Sequence, residues 1–146
     1  MKNIYLFVLV LILLLAACDN TSTPSHSGTL TLTDGDIQHP YTLVTLQSIS
    51  QTESSFDDVS YIGVSITALL EHAGIAVDDL ASVRAIASDG FSADYDADLF
   101  LRDDVILAYG LADGEMTADD GTFRMVLPGE EGFLNVRQVI EIKVKR

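Results

Sequence analysis

Residues 61–74 read Tyr-Ile-Gly-Val-Ser-Ile-Thr-Ala-Leu-Leu-Glu-His-Ala-Gly. Ile66, Leu69, Leu70 and Ala73 fall at i, i+3, i+4 and i+7, the apolar stripe of a helix with one buried face. Ser65 stands where a hydroxyl can accept from the free N–H groups of a first helical turn, and Gly74 where a helix stops. His72 falls in the last turn, where a cation suits the helix dipole. A short helix is predicted here, the best defined in the chain.

Outward from it the periodicity is mostly that of strands. Thr29 to Thr33 alternates threonine with leucine and runs into the turn Asp34-Gly35. Tyr41 to Ile49 is apolar enough for a short helix or a strand, and Gln51 to Asp58 reads as a polar loop. Val83 to Ala87 is a strand that ends in Ser88-Asp89-Gly90. Val105 to Tyr109 is continuously apolar, as in a strand buried on both faces. Asp113-Gly114 reads as a hairpin turn. Phe123, Met125 and Leu127 alternate with Arg124 and Val126 until Pro128-Gly129 closes the strand. Ile140, Ile142 and Val144 alternate with Glu141, Lys143 and Lys145, giving a last strand with one wet face, its lysines guarding a sheet edge. Strands outnumber helices, so the expected class is α+β, mainly β, with a mixed sheet and few short helices.

The whole chain has 146 residues, enough for one domain, with 8 basic against 22 acidic side chains and a net charge of −14. Nucleic acid is excluded as a partner, because a duplex needs a clustered basic footprint. At 48% hydrophobic the chain is too apolar for intrinsic disorder. The single cysteine excludes an internal disulfide framework and a cysteine-rich zinc site.

That cysteine closes an N-terminal targeting pattern. Lys2 precedes an apolar run from Ile4 to Leu15, too short to span a bilayer but of signal-peptide length. The run ends in Leu15-Ala16-Ala17-Cys18, which resembles a bacterial lipobox. The resemblance implies that residues 1–17 are a lipoprotein signal peptide, cut off so that Cys18 becomes the N-terminus, diacylated on its sulfur. Loss of Lys2 takes the net charge from −14 to −15. Acyl chains at roughly 0.8 kcal/mol per buried CH₂ would anchor the protein in a membrane of the cell envelope, facing the periplasm or the outside. Asp19 resembles the inner-membrane retention signal of enteric bacteria. Residues 18–27 then form a lipidated flexible tether without large apolar side chains, and the domain occupies 28–146.

Familiar catalytic patterns fail on their own chemistry. Asp94-x-Asp96-x-Asp98 copies the start of a calcium loop, but the positions needing Gly and Glu hold Leu99 and Val105, leaving a solvated acidic face. Asp119-Asp120-Gly121 reads as a turn. Gly63-x-Ser65 lacks the second glycine of a nucleophile elbow. His26, His39 and His72 stand apart from any metal-ligand spacing, so no metal site and no catalytic residue is expected. Cations are scarce, and Arg137, in the loop after Pro128-Gly129, is the one least explained by edge protection.

From Tyr61 to Val144 the chain resembles the oxidoreductase molybdopterin-binding domain, the cofactor domain of sulfite oxidases and assimilatory nitrate reductases. The similar segments are Tyr61 to Gly74, Val83 to Phe91 (VRAIASDGF), Asp104 to Glu115 (DVILAYGLADGE), Phe123 to Asn135 (FRMVLPGEEGFLN) and the closing strand Ile140 to Val144. The resemblance implies that family's fold and, by position, a cofactor pocket at Asp89, Gly90, Gly129, Asn135 and Arg137. It also implies a molybdenum held by a cysteine thiolate from the region before Gly63-Val64. Here that region, Ser50 to Ser60, holds no cysteine, and no basic residue occurs between Asp19 and Val83. The expectation is therefore an inherited fold without redox catalysis and with no cofactor: a membrane-anchored lipoprotein module that binds a small ligand or a protein. A molybdopterin-dependent oxidoreductase subunit beside a redox membrane protein is one alternative, and a structural envelope protein another.

Overall fold

A computed structural model describes residues 28–146; the segments expected to be a signal peptide and a tether, with Cys18, lie outside the described residues. The chain runs β1 (Thr29–Asp34), β2 (Ile37–Thr42), α1 (Leu43–Ser48), β3 (Thr52–Phe56), β4 (Val59–Ser65) and α2 (Ile66–His72). It continues through β5 (Ser82–Ala87), β6 (Ser92–Asp96), α3 (Ala97–Phe100), β7 (Ile106–Leu111), β8 (Arg124–Val126) and β9 (Val139–Lys145). Single 3₁₀ turns occur at Val77–Asp79 and Gly132–Leu134. The described residues form two sheets, ordered β2-β1-β9-β5-β6 and β3-β4-β7-β8. β1 pairs with β9 in parallel and every other ladder is antiparallel, so the first sheet is mixed.

The opening stretch folds as its spacing predicts. Ser65 Oγ accepts from Ala68 N at 3.2 Å, Ile66, Leu69 and Leu70 are fully buried, and Gly74 leaves the helix at φ +76°. The apolar segment after Tyr41 is a helix, capped by Thr42 Oγ1 on Thr45 N at 3.2 Å. One core lies between the sheets, where Leu32, Val83 and Ile142 of the first sheet meet Val64, Leu107 and Met125 of the second. A second, smaller cluster of Tyr61, Ile106, Ala108, Met116 and Val126 covers the other face of the second sheet. β7 is therefore apolar throughout because each of its faces meets a different core.

Three expectations are corrected. Residues 51–58 are not a loop: Thr52–Phe56 forms a strand, antiparallel to β4. Its polar side chains suit an edge, and Ser54 Oγ donates to Asp104 O at 2.6 Å. The last strand is not an edge but the middle of the first sheet, because β1 returns from the far end of the sequence to pair with it. Lys145 reaches Asp94 at 2.7 Å, joining the ion pair of Asp94 with Arg84 across the sheet face. The even alternation of β9 also breaks at its start. The β5–β9 register shifts after Ile86, and Ile140 is 47% exposed while Val139 is buried. A β-bulge changes the face of every preceding residue.

Candidate functional site

The β3–β4 hairpin turns through Asp57 and Asp58, both in the left-handed region at φ 49° and 62°. Aspartate tolerates that conformation better than most residues, which suits a two-residue turn matched to strand twist. The turn delivers Phe56 and Asp57 to a cleft of about 320 Å³. Opposite them stand Asp89 and Phe91 from the β5–β6 turn, and Phe133, Asn135 and Arg137 from the loop between β8 and β9. Three loops from distant parts of the sequence thus converge at one end of the fold.

Arg124 forms the polar wall of this cleft, and only 2% of it is exposed. Strand alternation points it away from the main core, into the smaller cluster on the outer face of the second sheet. There its guanidinium lies over the Tyr61 ring, 4.7 Å from the centroid, and 5.7 Å from that of Phe56. Its Nη1 donates to Asp120 Oδ1 at 2.6 Å and to Tyr61 Oη at 2.9 Å. Asp120 is buried as well and accepts from Thr117 Oγ1 at 2.8 Å. Nη2 of Arg124 is buried without a hydrogen-bond partner. Burial pushes the Tyr61 hydroxyl above its ordinary pKa, although Arg124 pulls the other way, so Tyr61 stays protonated at neutral pH.

The residues expected to bind a cofactor do not share one environment. Asp89 lines the cleft, its Oδ1 accepting from Phe91 N at 2.9 Å, whereas Gly90 (φ +88°) shapes the turn behind it. Asn135 lines the cleft but spends its amide on the loop. Its Oδ1 accepts from Leu127 N at 2.8 Å, and its Nδ2 donates to Glu131 O at 3.2 Å. Gly129, at φ +76°, turns the chain after Pro128 and is not among the lining residues. Arg102 holds that turn, with Nη2 on Pro128 O at 2.9 Å and Nη1 on Glu130 at 2.8 Å. Arg137 does not pair with the acidic residues of its own loop; its Nε lies 3.9 Å from Asp120 Oδ1, and its side chain is 58% exposed.

Arg124, Asp120 and Phe56 escape sequence reading. Arg124 reads only as a residue alternating with the apolar side chains of its strand, Asp120 as part of a turn tripeptide, and Phe56 as part of a polar loop. The signal that could find them is the scarcity of cations combined with a position inside an apolar strand.

The resemblance implies a molybdopterin, and the donor set does not fit a thiolate-held metal. Residues 50–60, from which the resemblance implies a thiolate, hold no cysteine and reach the cleft with the Phe56 ring and the Asp57 carboxylate. Among the described residues no group of three His, Cys, Asp or Glu side chains could hold a metal ion. What the cleft offers is guanidinium donors, the acceptors Asp57 and Asp89, and the rings of Phe56, Phe91 and Phe133.

A family model for the oxidoreductase molybdopterin binding domain matches residues 21–146. Among solved structures, the chain is similar to the crystal structure of the sulfane dehydrogenase SoxCD from Paracoccus pantotrophus, at 18% identity and a TM-score of 0.69. The match covers 83% of this chain and 39% of that one, so this chain spans well under half of its relative and the likeness is one of fold. A comparison with curated proteins finds no match. By the family match across its described domain, the chain belongs to the oxidoreductase molybdopterin binding domain family.

Proposed function

We propose that the protein is a membrane-tethered, non-catalytic binding module built on the molybdopterin-domain fold. The observation that carries this reading is the β3–β4 hairpin, whose two-residue turn brings Phe56 and Asp57, and no cysteine, to the cleft. Two arginines and two carboxylates around three phenylalanine rings favour a small planar ligand. Such a ligand presents acceptors to Arg137, donors to Asp57 and Asp89, and a flat face to the rings. The net charge of −14, with Asp120 neutralising Arg124, opposes a strongly anionic phosphorylated cofactor. The lipobox-like Leu15-Ala16-Ala17-Cys18 supports an anchor in the cell envelope, and Asp19 its inner-membrane side.

The test is elemental analysis of the full chain made in a host that produces molybdopterin, joined to titration with xanthopterin as a planar probe and inorganic phosphate as a bare anion. The expected result is molybdenum far below one atom per chain, with saturable xanthopterin binding and none of phosphate. About one molybdenum per chain, with pterin fluorescence after oxidation, establishes the second reading: an oxidoreductase subunit serving a redox membrane protein. Family membership is the observation that favours it.

A further inference from the structure

Three non-glycine residues among the described ones have φ in the left-handed region: Asp57, Asp58 and Gln138. Two make the turn that brings Asp57 to the Arg124 cleft, and the third follows Arg137, which also lines it. Aspartate offsets the cost of this conformation with its short polar side chain; glutamine does not. Gln138, at φ 51°, is instead held from several sides. Its N–H donates to Asp120 O at 2.8 Å, and its carbonyl accepts from Ser88 N at 3.0 Å. Its Oε1 accepts from Ser88 Oγ at 2.9 Å. Gly121 lies so close that a Cβ there would stand 2.9 Å from Gln138 Cα. Strained residues persist only where the surroundings over-determine them, and they gather at binding sites.

The strain has a geometrical product. Val136 and Val139 are both buried although three positions apart, which an even strand alternation forbids. The left-handed step at Gln138 reconciles them, leaving Arg137 at the cleft and sending the Gln138 amide to Ser88. Ser88 precedes Asp89, so one side chain ties the loop that carries the cleft's arginine to the turn that carries its carboxylate. We propose that Gln138 is a positioning residue, which fixes the spacing between Arg137 and Asp89 and thereby selects ligands with an acceptor and a donor on one planar frame. The proposal rests on the reading of the cleft as a planar-ligand site. Gln138 does not line the cleft and acts through those two side chains. Because the clasp forms before binding, a ligand that uses both groups avoids the cost of ordering them, and one that offers only acceptors does not need the match.

The experiment compares the full chain with Gln138→Gly, Ser88→Ala and the double variant, each titrated with xanthopterin, which has acceptors and donors, and with coumarin, a planar ring with acceptors alone. Either single variant should bind xanthopterin about tenfold more weakly, the ordering of two side chains that the clasp no longer provides, with coumarin unchanged. The double variant should lose no more than either single one, because both remove the same bond. Gln138→Gly should melt no lower than the wild type, since glycine adopts the left-handed step freely. Unchanged xanthopterin affinity, equal weakening of both probes, additive losses, or a fall in melting temperature that accompanies the lost affinity would each overturn the proposal. If the wild type binds neither probe, the reading of the cleft fails by itself, and backbone NMR order parameters without ligand decide the clasp. Values at Asp89 and Arg137 near 0.85 that drop below about 0.6 in both single variants support it, and values that do not change overturn it.

Discussion

Breaking the Asp120–Arg124 pair should expose how much of the fold depends on one buried charge. At 2.6 Å and an effective dielectric near 20, the Coulomb attraction is about 6 kcal/mol, comparable with the several kcal/mol each ion loses on leaving water. The intact pair is therefore close to neutral in its net contribution, and the penalty appears when one partner is removed. Asp120→Asn leaves a guanidinium that cannot shed its proton, buried under Tyr61 and Phe56, and should cost about 3–5 kcal/mol. Arg124→Met should cost less, because the remaining carboxylate can protonate and keeps its bond from Thr117. With a urea m-value of about 1–3 kcal/mol/M, Asp120→Asn should lower the midpoint by about 2 M. The double variant should be more stable than Asp120→Asn alone, since removing both charges relieves the unpaired one. Urea titrations of the four proteins at pH 7 form a double-mutant cycle. A loss below 1 kcal/mol for Asp120→Asn, or additive losses in the double variant, would refute the picture of a buried, mutually dependent pair.

Other perturbations have distinct signatures. Arg137→Ala should change stability by less than about 1 kcal/mol, because its ion pair is long and exposed, yet weaken xanthopterin binding in the same titration. Asp94, whose carboxyl Arg84 and Lys145 hold well below the usual range, stabilises the fold only while ionised. That contribution is complete above the unfolded aspartate pKa of about 4 and fades as pH falls toward the lower folded value. Asp94→Asn should thus lose a small, salt-sensitive increment at pH 7 and none in strong acid, checked by denaturant titration at both pH values. Gly63→Ala would place a methyl 2.2 Å from Leu107 O at the β4–β7 irregularity and should cost at least about 3 kcal/mol, read by thermal melting. Cys18→Ser should leave an uncleaved, unacylated precursor by intact mass, and a lipid-modified mass in that variant would refute the proposed anchor.

Legibility in the sequence follows the range of the interaction responsible. The helix after Ser65 was readable because its cap, stripe and stop act within ten residues. β7 was readable because two separate cores leave it no polar face. β3 was not, because Thr52–Phe56 owes its strand to pairing with β4 rather than to its own composition, and local pattern cannot weigh a partner strand. The place of β9 was hidden for the same reason: its parallel ladder with β1 joins the two ends of the domain, and nothing in Lys143 or Lys145 records it. The family resemblance supplied the fold where local pattern could not.

The site shows the same limit in sharper form. Scarcity of cations directs attention to the arginines, and from there loop position selects Arg137. The burial of Arg124 is not legible, because what covers it is Tyr61, 63 positions away, with Phe56 from a segment that reads as a loop. The β3–β4 hairpin is what buries the arginine, through the rings of Phe56 and Tyr61. Lengthening the Asp57-Asp58 turn would therefore draw Phe56 away and uncover Arg124 and its pair with Asp120, so a wider cleft mouth and present stability oppose each other at this turn.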